Sequence, residues 1–137
     1  MRRFALVAAA LVVAFGAHAA SGSSTPRFAF GRSGGNIVPF TVAISSTGRI
    51  SARGPGSPSR TRVSPRTLAS LLALARREGF FGMPSAIVCS GTLPDFASTF
   101  VAVTTSNGTK RVSVRGNCNR RFSALYAKLR SAAGVGP

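Results

Sequence analysis

Residues 96–115 read Phe96-Ala97-Ser98-Thr99-Phe100-Val101-Ala102-Val103-Thr104-Thr105-Ser106-Asn107-Gly108-Thr109-Lys110-Arg111-Val112-Ser113-Val114-Arg115. Phe96 to Thr105 alternates, with Val101 and Val103 opposite Phe100 and Ala102, which is the period of a strand with one buried face. Asn107-Gly108 is the strongest short hairpin signal a sequence offers. Thr109 to Arg115 then pairs back, with Val112 and Val114 inward and Arg111, Ser113 and Arg115 outward. A hairpin of this kind makes the sheet antiparallel around it.

Upstream, Phe28 and Phe30 alternate within Arg27 to Arg32, and Phe40, Val42 and Ile44 share one face of Ile37 to Ser45. Pro39 argues for an edge position or the start of that second strand. Ser46-Thr47-Gly48 is a turn, and Arg49 to Arg53 is a short return strand. Gly54 to Thr61, rich in Pro and Gly, is loop. Ser64-Pro65 opens a helix, with Ser as N-cap and Pro at the first position. Leu68, Leu71, Leu72 and Ala75 follow at helical spacing. Arg76 and Arg77 suit the helix's negative end, and Gly79 stops it. Phe80, Phe81 and Met83 are read as a plug for the core, against the alternative of an exposed apolar patch. Pro84 to Pro94 is read as irregular. Cys118 precedes a last helix with Phe122, Leu125, Leu129 and Ala132 as its stripe and Gly134 as its end. The expected fold is α+β, in the order β-β-β-α-β-β-α, with an antiparallel sheet and both helices on one face.

The N-terminus has the grammar of a secretory signal: Arg2 and Arg3, an uncharged stretch from Phe4 to Gly16, then Ala17-His18-Ala19 with cleavage expected before Ala20. The stretch is too short to span a bilayer comfortably, so no transmembrane anchor is expected after cleavage. Residues 1–19 are thus a signal peptide, 20–26 a flexible lead-in and 27–134 a single domain. The expected destination is extracellular or periplasmic.

Cleavage would remove the only His, His18, leaving Glu78 and Asp95 as the only acidic side chains. Proton-transfer catalysis most often uses His or a carboxylate pair near the reacting atoms, and zinc or calcium cages need ligands this chain lacks. The formal alternative of a Lys nucleophile, Lys110 or Lys128, meets exposed-looking, basic contexts at both positions. No catalytic residue, metal ligand or cofactor is therefore assigned, and an enzyme is not expected. Cys89 and Cys118, an isolated even pair in an oxidising compartment, are read as a structural disulfide. A redox pair would want the closely spaced Cys-x-x-Cys pattern. The bridge would close a loop of about thirty residues and stabilise the fold by roughly 3–4 kcal/mol.

The formal charge of +16 comes almost wholly from arginine. Its dispersal lacks the dense basic block or aromatic interleaving of a nucleic-acid module, so dedicated nucleic-acid binding is not expected. Weak, non-specific attraction to polyanions or the cell envelope is. One functional reading is therefore an envelope-associated structural protein held by anionic polymers.

The other begins from a resemblance. Arg32-Ser33-Gly34-Gly35 after the first strand, Gly79-Phe80-Phe81 and Pro84 after the Leu-rich helix, Leu93-Pro94-Asp95-Phe96 before the second strand pair, and the amphipathic last helix together resemble the emfourin family. These are small protein inhibitors of thermolysin-like metalloproteases, and the pattern recurs in secreted bacterial proteins. The likeness runs from about Arg27 to Ala133. It departs at Asn36-Ile37-Val38-Pro39, in the Pro-rich Gly54 to Thr61 segment and in the Cys pair. It implies a secreted, non-enzymatic protein-binding domain whose partner is a secreted metalloprotease. The candidate contact residues are Arg32, Ser33, Gly34, Gly35 and Asn36, with Asp95 as a carboxylate able to reach a protease zinc. The plainer uses are a glycine turn and an Asx turn.

Overall fold

A computed structural model describes residues 25–136; the signal-peptide reading of 1–19 and most of the 20–26 lead-in lie outside the described residues. Alternation at the predicted places yields β1 (Phe28–Ser33), β2 (Phe40–Ile44), β3 (Ile50–Arg53), β5 (Ser98–Thr105) and β6 (Gly108–Arg115). The helical spacing yields α1 (Pro65–Arg77) and α2 (Arg120–Ala133), and a short further strand, β4 (Ala86–Val88), lies between α1 and β5. The six strands form one sheet in the order β3-β2-β1-β5-β6-β4.

Two expectations are corrected. The 84–94 segment is not wholly irregular, and the sheet is not wholly antiparallel, because β4 pairs parallel with β6 from Ala86↔Ser113 to Val88↔Arg115. The cause is topological. β5 reverses the direction of β4 and β6 reverses it again, so β6, placed between them, must run with β4. Phe96 and Ala97 also fall short of β5, held in a turn by the Phe96 N–H donating to the Leu93 carbonyl at 3.1 Å. Pro39 stands just before β2, an interior strand, so it marks a strand start and not an edge.

Register places Phe28, Phe30, Val42, Ile44, Val101, Val103, Val112 and Val114 on one sheet face, all buried. They share a core with Leu71 and Ala75 of α1 and Phe122, Leu125 and Leu129 of α2, so both helices cover the same face. Burying each such large side chain contributes roughly 1.5–3 kcal/mol. Phe80 and Met83 join that core and do not form an exposed patch. On the opposite face Phe100 is only 3 % exposed, with the Arg111 guanidinium 3.7 Å from its ring centroid.

The helix starts are built locally. Ser64 Oγ accepts the Thr67 N–H at 3.1 Å, and Asn119 Oδ1 accepts the Phe122 N–H at 2.9 Å. Each cap satisfies a first-turn donor that the helix itself cannot. Cys89 and Cys118 are disulfide-bonded, their Cα atoms 5.6 Å apart, tying the end of β4 to the start of α2.

Candidate functional site

The strand directions bring three connections to one end of the sheet. β1 ends there at Ser33, opposite Ser98 where β5 begins; Ser98 in turn faces Arg115, the end of β6, which faces Val88, the end of β4. The loops 34–39, 89–97 and 116–119 are therefore neighbours, although they are far apart in sequence. The disulfide fixes the second to the third.

Gly35 closes the gap between the first loop and the second. It sits at φ +60°, and a Cβ there would stand 2.3 Å from the Asp95 carbonyl oxygen. Only glycine meets both demands, a left-handed backbone and backbone-to-backbone contact. The next N–H, of Asn36, donates to that same carbonyl at 3.2 Å. In the second loop Thr92 Oγ1 donates to the Cys89 carbonyl at 2.7 Å, holding the chain beside the bridge. The result is a frame made of backbone, with its side chains free to project.

Between these loops runs a groove of about 480 Å³, lined by Arg32, Asn36, Ile37, Asp95, Phe96 and Thr99 among others. Of the residues expected at a site, Arg32, Asn36 and Asp95 thus meet in one place. Ser33, Gly34 and Gly35 shape the turn, and Gly34 faces open space. The Asp95 side chain is exposed and makes no hydrogen bond to the described residues, so the Asx-turn use is not seen here. A second hollow of about 370 Å³ adjoins the groove through Arg32 and Thr99, and reaches Tyr126 and Arg130. Burial raises the Tyr126 phenol above its ordinary pKa, while Arg130 and Arg32 pull the other way.

Sequence reasoning missed the apolar part of the site. Among the described residues the exposed large hydrophobic side chains are Val38 (70 %), Val88 (65 %), Leu93 (57 %) and Phe96 (52 %), and all four lie at this end of the sheet. Of these, Phe96 lines the groove, Val38 and Leu93 lie in its flanking loops, and Val88 ends the edge strand β4. The Leu93-Pro94-Asp95-Phe96 run was the one visible signal, since two large apolar residues flank a proline and an acid in a loop.

Among the described residues no three of His, Cys, Asp and Glu come together to hold a metal ion, and no helix is long and apolar enough to cross a membrane. No family model, no curated protein and no solved structure matches the chain.

Proposed function

We propose that this chain is a secreted, non-catalytic protein-binding domain, and that the loop end of its sheet is the binding surface. The observation carrying this reading is that Val38, Val88, Leu93 and Phe96, all exposed, stand at the same end of the sheet as the groove lined by Arg32, Asp95 and Phe96. An apolar centre with a few charges at its rim is the usual anatomy of a protein interface. The backbone frame and the disulfide add preorganisation, which lowers the ordering cost of association. By the resemblance to emfourins, the partner class is a thermolysin-like metalloprotease. Asp95, exposed in the second loop and without a side-chain partner among the described residues, is the side chain offered to the protease zinc.

The experiment is capture of exported proteins by the oxidised domain, set beside the same domain carrying Leu93→Ser and Phe96→Ser. The reading expects a metalloprotease retained by the first and lost from the second. Equal retention by both would remove the loop end as the interface.

A further inference from the structure

A second, separate surface lies on the helical layer. α1 and α2 run antiparallel there, so that Arg66, Thr67 and Ser70 of α1 face Lys128 and Ser131 of α2 across a groove of about 350 Å³, with Arg60 at its end. None of these residues lines the loop-end groove.

Arg60 is anchored by the chain itself. Its backbone N–H donates to the Ala133 carbonyl and its Nη1 to the Ala132 carbonyl, each at 3.4 Å. That uses one of the five N–H donors of a guanidinium, and the others remain for a ligand. Arg66 stands at the second position of α1, where the helix dipole is already positive, and the first turn contains no acid to offset it. Neither acidic side chain of the described residues is near. Glu78 is at the other end of α1 beside Arg77, at 3.9 Å, and Asp95 is in the loop-end groove.

Three cations around one groove repel one another, and apart from Arg60's hold on the last carbonyls of α2 nothing in the core or in the helix caps requires them. Three hydroxyls, of Thr67, Ser70 and Ser131, share the walls, over a floor of Leu71 and Ala132. Guanidinium and ammonium donors combined with hydroxyls match the several oxygens of a tetrahedral anion better than the two of a planar carboxylate. We propose that this interhelical groove binds a phosphate group, carried either on a free ion or within an anionic polymer.

The test titrates the oxidised protein with inorganic phosphate and, separately, with linear polyphosphate, following backbone amide shifts at low and moderate salt. Saturable binding is expected, with shifts centred on Thr67, Ser70 and Ser131, weakening as salt rises. Arg66→Glu with Lys128→Glu should lower affinity roughly tenfold or more, whereas Arg53→Glu with Arg120→Glu, an equal charge change at exposed sites outside the groove, should lower it less than about twofold. Ser70→Ala with Ser131→Ala, which leaves the charge and the fold intact, should also weaken binding. Saturation by inorganic phosphate assigns the free ion, and saturation by polyphosphate alone assigns the polymer. Equal losses in the two charge-reversed proteins would show diffuse attraction and overturn the proposal, as would the absence of saturable binding to both probes. Loop-end variants should leave all these results unchanged.

Discussion

Gly35 packs its bare Cα against the carbonyl of Asp95, where a Cβ would come within 2.3 Å of the oxygen, and this contact joins the two loops that frame the groove. Gly35→Ala adds strain at φ +60° and a clash with backbone that has no room to yield. It should cost more than about 2 kcal/mol, whereas Gly34→Ala, strained at φ +74° but facing open space, should cost about 1 kcal/mol. Urea denaturation of both variants checks the difference.

Leu93 and Phe96 are more than half exposed, so polar replacements remove little buried area. Leu93→Ser and Phe96→Ser should each change stability by no more than about 0.5 kcal/mol. Together they should weaken partner binding by about thirtyfold or more, since buried apolar anchors carry most of an interface's energy. Thermal melts beside a binding titration separate the two effects.

The Cys89–Cys118 bridge closes a segment with a sequence separation of 29. Replacing both cysteines by serine should cost roughly 3–4 kcal/mol by loss of the constraint on the unfolded chain. The second loop should also lose protection against hydrogen exchange, because Cys89 anchors it at its start.

Tyr126 gives the pH dependence a sign. Its folded pKa is raised above 10.0, so the fold favours the neutral phenol. That contribution is fully present below about pH 10 and is lost as pH rises through the folded value, since the unfolded chain releases its proton first. Denaturation across this alkaline range should show a steeper fall in stability for the native protein than for Tyr126→Phe. The chain has one tyrosine, so absorbance at alkaline pH reports the same group directly.

The elements that sequence periodicity revealed are those whose burial repeats along the chain. Phe28 and Phe30, Val101 and Val103, Val112 and Val114, and the Leu68–Ala75 stripe each recur at the spacing of their element, and Ser64 and Gly79 mark helix ends through local backbone chemistry. β4 is hidden because three residues, Ala86 to Val88, cannot display a period, and its parallel partner lies beyond an intervening strand. At the site, the glycines and the one acidic residue of an exposed-looking loop single out Arg32 to Asn36 and Asp95 in one dimension. Their meeting depends on sheet register, and so does the exposure of Val38, Val88 and Phe96. An apolar residue carries no local mark of whether the fold will cover it.

The most direct measurement of the central claim is a titration of a thermolysin-like metalloprotease with the oxidised domain, reading peptide hydrolysis as the domain approaches and passes equivalence. The account predicts stoichiometric loss of activity at micromolar concentration, with an intact domain recovered afterwards and the inhibition abolished by Leu93→Ser with Phe96→Ser and weakened by Asp95→Asn. Full protease activity throughout, with the domain slowly digested, would contradict it.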